Sequence, residues 1–197
     1  MTVSFDAGLH RYTDADGNVL PSVTQLIGRW WPIDRTFFTE DGAQRGTDVH
    51  EYTSMLDQGL ITPSGIGDDD LQPYVSAWME YVALTGPVFS LIETPLAHSR
   101  WKYAGTVDRV AQLGGKTVVI DLKTGSKQPW HAVQTAAYSV LLEEEGVKVD
   151  AAYTVILKSN GKYAVEEHDL RRARDAWLCY LRSEQYRRAQ KGMEWAE

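Results

Sequence analysis

Apolar positions along the chain change period several times, and each change marks an element. Val3-Ser4-Phe5, His10-Arg11-Tyr12 and Val19-Leu20 alternate around Asp16-Gly17-Asn18 and read as short strands about a turn. Ser22 or Thr24 can cap a short helix through Trp30, which Trp31-Pro32 stops. A longer helix is predicted from about Asp41 to Gln58, ending at Gly59, and the Gly-, Pro- and Asp-rich stretch Ile61 to Asp70 is a loop. Leu71, Val75, Trp78, Met79 and Val82 recur at helical spacing and give a helix that ends near Gly86-Pro87. Strand-like runs follow at 88–97, 104–113 and 116–123, then a helix from Trp130 to Glu145. Strands near 151–157 and 162–167 and a final helix from about Leu170 to Lys191 complete the pattern. This order predicts an α/β fold, a central mixed sheet flanked by helices. There is no internal repeat and no linker, so residues 1–197 read as one domain. Within it, 1–40 carry the first strands and short helix, 41–145 the central elements, and 146–197 the last strands and a basic helix.

Composition narrows the function. At 43% hydrophobic and 24% charged residues the chain has ordinary globular values, which excludes a disordered or fibrous protein. A lone cysteine, Cys179, rules out a disulfide framework, a four-cysteine zinc site and an iron–sulfur cluster held by this chain. No apolar run approaches a membrane span, and Met1 to His10 lacks the pattern of a signal peptide, so a cytoplasmic protein is expected. The net charge of −7 argues at first against nucleic acid, but it is uneven. Residues 1–100 hold 5 basic and 14 acidic side chains, whereas 101–197 hold 15 and 13. Arg171, Arg172, Arg174, Arg182, Arg187, Arg188 and Lys191 face only Asp175 and Glu184, as either a solvated helix face or a strip that tracks phosphates.

The hairpin 105–123 carries the most chemistry. With Gly114-Gly115 as a two-residue turn, Leu113 pairs with Lys116 and Asp108 falls opposite Asp121. Such partners sit roughly 4.5–5.5 Å apart at Cβ, where like charges repel unless they are solvated, share a proton or bind a cation. Period two also places Lys123 on the face of Asp121, with Val118, Ile120 and Leu122 on the other. A sheet face in which Lys123 merely offsets the acids would read the same way. If the face is functional, hard oxygen donors suit a divalent ion, and a nearby ammonium can orient water or offset charge on a phosphate. Gly115-Lys116-Thr117 is not a phosphate loop, since a strand follows the lysine and Val110 stands where the first glycine would be, so no ATP site is expected. Trp101 and Trp130 flank this region as core residues or as platforms for an unpaired base.

The sequence resembles the PD-(D/E)XK nuclease superfamily, in its RecB-like branch. The likeness rests on Gly105-Thr106-Val107-Asp108, Ile120-Asp121-Leu122-Lys123-Thr124-Gly125 and Gln134-Thr-Ala-Ala-Tyr138. Upstream, Arg45-Gly46-Thr47-Asp48-Val49-His50 is similar to the branch's histidine-bearing helix, and Leu91-Ile92-Glu93 to its acidic strand. The opening His10-Arg11-Tyr12 and Pro21-Ser22-Val23-Thr24 resemble the start of phage- and prophage-type exonucleases. The resemblance implies a DNA nuclease, an exonuclease in recombination or repair of phage-like DNA, with a structure-selective endonuclease or a non-catalytic DNA-binding module as alternatives. It implies one or two Mg²⁺ or Mn²⁺ ions held by Asp108, Asp121, the Leu122 carbonyl, His50 and Glu93, with Lys123 positioning the attacking water. Gln134 and Tyr138, one helical turn apart, would line the site. DNA is the implied partner, a recombinase or single-strand-binding protein a further one, and oligomeric state stays open. Four cysteines mark the iron–sulfur-bearing relatives, and this chain has one.

Overall fold

The computed structural model describes residues 2–31, 39–63 and 70–191. Three short strands open the chain: β1 (Val3–Asp6), β2 (Arg11–Asp14) and β3 (Val19–Leu20), an antiparallel meander that forms a sheet of its own. Helix α1 (Val23–Trp30) begins at a capping box. Ser22 Oγ accepts the Gln25 N–H while Gln25 Oε1 accepts that of Ser22, so two orphan donors are met reciprocally. Helix α2 (Glu40–Asp57) is capped by Thr39, and α3 (Gln72–Thr85) ends at Gly86, whose φ of 62° only glycine adopts readily. Pro32 and part of the loop 61–70 lie outside the described residues.

The main sheet contains β4 (Val88–His98), β5 (Tyr103–Leu113), β6 (Lys116–Lys123), β7 (Ala151–Leu157) and β8 (Tyr163–Glu167), in that spatial order. Only β6 and β7 run parallel. Parallel neighbours need a crossover, and α4 (His131–Glu144) supplies it. The last helix, α5 (Leu170–Lys191), packs on α4. Two apolar clusters, one on each side of the sheet, sort the helices into two layers. Val107, Val110 and Val119 meet α1, α4 and α5 through Leu26, Ile27, Leu141 and Trp177. Ala111, Val118, Ile120 and Leu122 meet α2 and α3 through Val49, Tyr74, Trp78 and Tyr81. The predicted mixed sheet with helices on both faces is therefore observed, with the opening meander added as a separate sheet over Ala97 and Ala104.

Two open readings are decided by packing. Trp101 and Trp130 are buried in the α1/α4/α5 core, so they are packing residues and not exposed platforms for a base. The basic strip on α5 is partly neutralised from within. Buried Glu184 accepts from Arg187 at 2.7 and 2.8 Å and from Arg188 at 2.8 Å, and Arg174 pairs with Glu143. Arg171, Arg172 and Arg182 stay exposed, which leaves a shorter cationic face than the sequence count suggested.

Candidate active site

The β5–β6 hairpin turns through Gly114 (φ 57°) and Gly115 (φ 78°), both left-handed, as a two-residue turn matched to strand twist requires. Its register runs from Leu113↔Lys116 to Arg109↔Ile120, as the sequence predicts. The ladder then stops one step short of Asp108 and Asp121. Asp108 does not meet Asp121 as a bare carboxylate pair; its Oδ2 accepts the Leu122 backbone N–H at 2.7 Å. Asp121 is fully buried, and its Oδ1 accepts from Lys123 Nζ at 2.6 Å. Each of the two carboxylates thus has its own donor.

A second ladder breaks at the same level. On the other side of β5, Ile92 pairs with Arg109 and Thr94 with Val107, while Glu93, opposite Asp108, makes no described pair. Glu93 has φ 42°, a left-handed conformation that costs a non-glycine residue about 1–2 kcal/mol. Its carboxylate reaches His50, with Oε1 at 3.1 Å from Nδ1. His50 is placed by α2, where its neighbour Val49 is buried against the sheet. The other ring nitrogen, Nε2, lies 3.1 Å from the Leu122 carbonyl. Both partners are acceptors, so a doubly protonated imidazolium satisfies both.

One donor atom each from His50, Glu93 and Asp108 falls within 4.8 Å of the others. Burial opposes a charged His50, but Asp108 and Glu93 outweigh it and raise its pKa to about 9. Burial, reinforced by Asp121 and Glu93, lifts Asp108 to about 7 against the pull of His50. Burial disfavours the Lys123 ammonium too, yet Asp121 and Asp108 more than restore it, so Lys123 stays a cation. The donor set of oxygens plus one imidazole suits a hard or borderline divalent ion. A second sign of fit is Asp121 Oδ2, buried and without a hydrogen-bond partner among the described residues, an acceptor that a cation would satisfy.

From α4, Gln134 Nε2 donates to Tyr138 Oη at 2.8 Å, and both side chains are buried. Burial and the nearby Asp108 and Asp121 charges keep the Tyr138 phenol protonated well past its usual range. Gly105, the glycine of the Gly-Thr-Val-Asp run, permits this approach. A Cβ there would stand 2.9 Å from Tyr138 Cε1 and 3.0 Å from Val23 Cγ2.

The structure therefore gathers His50, Glu93, Asp108 and the Leu122 carbonyl, sets the Asp121–Lys123 pair beside them, and backs them with Gln134 and Tyr138. Asp121 lies outside that three-residue cluster and is held by Lys123. Sequence reasoning missed Arg109, Asp57, Thr53 and Tyr12. Tyr12 Oη sits 2.8 Å from Thr106 Oγ1 and feels the Asp108 and Glu93 charges. Arg109 had a readable signal: by parity it shares the buried face of Ala111, Val118 and Ile120, where an arginine requires acidic partners.

Residues 66–196 match the PD-(D/E)XK nuclease superfamily, about two thirds of the chain. The chain belongs to that superfamily. Mitochondrial genome maintenance exonuclease 1 of Mus musculus is 29% identical over 130 residues, a match covering 56% of this chain and 38% of the mouse protein. The chain thus spans well under half the length of that relative. An alkaline exonuclease (LHK-Exo) from Laribacter hongkongensis is 14% identical over 85% of this chain and 81% of its own, with a TM-score of 0.41. LHK-Exo in complex with dAMP gives 15% identity, 88% and 93% coverage, and a TM-score of 0.41. Among the described residues no helix is long and apolar enough to cross a membrane.

Proposed function

We propose that this chain is a divalent-metal-dependent deoxyribonuclease that hydrolyses phosphodiester bonds, acting as an exonuclease on linear DNA. The observation that carries the reading is the convergence of His50, Glu93 and Asp108 within 4.8 Å, beside a buried aspartate whose partner is a lysine. Superfamily membership supports nuclease chemistry, and the name of the mouse relative supports the exonuclease mode. Recombination or repair of phage-like DNA is the setting that the opening motifs suggest.

In this reading His50, Asp108, Asp121, Glu93 and the Leu122 carbonyl would hold one or two Mg²⁺ or Mn²⁺ ions. When bound, such an ion polarises a phosphoryl oxygen, lowers the pKa of water and offsets charge on the leaving oxygen. The remaining work belongs to the chain. Lys123, kept cationic by Asp121, would orient a water or stabilise the pentacoordinate phosphoryl group. His50 would have to give up a proton from one ring nitrogen, Nδ1 facing Glu93 or Nε2 facing the Leu122 carbonyl, to serve as a ligand, so its protonated form and the ion would compete. Gln134 and Tyr138 wall the site and offer a neutral phenol as a hydrogen-bond donor. DNA is the partner, and the exposed Arg171, Arg172 and Arg182 supply a modest, salt-sensitive contact.

The test uses end-labelled linear duplex, linear single strand and closed circular DNA with Mg²⁺ or Mn²⁺. Loss of label from linear substrate alone is expected, and cutting of the closed circle would indicate an endonuclease instead. Asp108→Ala and Lys123→Ala should each remove the activity. Full degradation by either variant overturns the assignment of these residues.

A further inference from the structure

Arg109 follows Asp108 in sequence, and its side chain is fully buried against α2 and Trp78. A guanidinium there loses several kcal/mol of hydration, so its position calls for specific partners. Its Nε donates to Asp57 Oδ2 at 2.7 Å, and Nη2 to Thr53 Oγ1 at 3.1 Å. Its Nη1 donates both to Glu93 Oε1 at 2.8 Å and to the Asp108 carbonyl at 2.7 Å. The indole of Trp78 lies under the guanidinium, 5.6 Å from centroid to Cζ, and Trp78 Nε1 donates to both oxygens of Asp57.

These partners belong to the three elements that deliver the acid–histidine cluster. Glu93 comes from β4 and Asp108 from β5, at the step where the ladder between those strands is broken. A single nitrogen of Arg109 spans that break, joining the side chain of one acid to the backbone of the other. Thr53 and Asp57 come from α2, three and seven residues after His50, so all three share one helix face. Both donors to Glu93, from His50 and from Arg109, fall on Oε1. That convergence holds the left-handed Glu93 in one orientation.

We propose that Arg109 is a positioning residue that sets the mutual placement of Glu93, Asp108 and the His50 helix, and thereby the affinity of the site for its divalent cation. The inference rests on the metal-dependent reading above, and the role it gives Arg109 is exerted through Glu93, Asp108 and α2. A lysine cannot replace it, because one ammonium cannot reach acceptors on β4, β5 and α2 in a fixed planar fork.

The experiment compares wild type, Arg109→Lys, Arg109→Gln, Glu93→Gln and the double variant Arg109→Lys/Glu93→Gln. Mn²⁺ affinity is read by calorimetry, and kcat and KM for a linear duplex are measured well below each melting temperature. Arg109→Gln should weaken Mn²⁺ binding by about 10–100-fold, the range typical when a group that orients a ligand is removed. Arg109→Lys should recover only part of this. KM for DNA should change less than twofold while kcat at fixed Mn²⁺ falls, and raising Mn²⁺ should restore part of kcat. Should Arg109→Gln fail to fold, the lysine variant and the cycle decide. The Mn²⁺ affinity losses of Arg109→Lys and Glu93→Gln should then be non-additive. Arginine variants that melt earlier but bind Mn²⁺ as wild type does, or a strictly additive cycle, overturn the proposal and leave a purely structural arginine. Wild type that binds Mn²⁺ without cutting DNA refutes the nuclease reading alone. Wild type that binds no Mn²⁺ at millimolar concentration refutes the metal site and this proposal together.

Discussion

Replacing Gly105 by alanine tests how closely α4 and α1 are driven onto the strand that carries Asp108. The new Cβ would lie 2.9 Å from Tyr138 Cε1 and 3.0 Å from Val23 Cγ2, both closer than such atoms pack. Neither neighbour can swing freely. Val23 is 1% exposed and begins a capped helix, and Tyr138 is 5% exposed with its hydroxyl held by Gln134. Overpacking of this kind costs about 1–3 kcal/mol. Gly105 is not in the left-handed region, so alanine is compatible with its backbone and recovers about 0.5–1 kcal/mol of chain entropy. The net expectation is a destabilisation centred on about 1.3 kcal/mol, read as a lower urea midpoint with an unchanged slope. In a Tyr138→Ala background part of the clash has no partner, so the cost of Gly105→Ala should shrink by at least about 0.5 kcal/mol. A Gly105→Ala protein as stable as wild type, or a cost unaltered by both Tyr138→Ala and Val23→Ala, would refute the reasoning.

Other expectations follow from the charges. Mn²⁺ at 100 times its dissociation constant should stabilise wild type by about 2.7 kcal/mol, and Asp108→Asn should abolish the rise in melting temperature; a persisting rise would place the ion elsewhere. His50 is raised from 6.5 to about 9, so its stabilising contribution is complete below pH 6.5 and is lost as pH climbs to 9. The stability gap between wild type and His50→Gln should accordingly be widest near pH 6 and close by about pH 9.5, and a gap independent of pH contradicts this. Glu184 is held down to about 2, first by its hydrogen bonds from Arg187, so its contribution is present above pH 4.5 and lost on acidification toward 2. Glu184→Gln should lower the urea midpoint at pH 7 and flatten the acid limb, and an unchanged limb would show that Arg187 and Arg188 do not depend on it.

Much of this protein is legible in one dimension because its elements are locally consistent. Periodicity, the Ser22 cap, and the Gly86 and Gly114-Gly115 stops mark helices and strands that tertiary packing leaves in place. The hairpin register follows from a two-residue turn and a side-chain period of two, and it singles out Asp108, Asp121 and Lys123 without reference to any other element. Other features depended on residues far apart in sequence. The ladder breaks at Glu93 and Asp108, the hand-over of Asp108 to the Leu122 amide, and the capture of Asp121 by Lys123 all arise where strands 88–98, 103–113 and 116–123 are pressed together. No local pattern encodes a guanidinium that joins β4, β5 and α2, because its acceptors are 1, 16, 52 and 56 residues away. The sequence by itself determined which elements form and which acids could matter. Only the tertiary structure decided which of them share a proton, a lysine or an arginine, since buried charges are partnered across the whole chain.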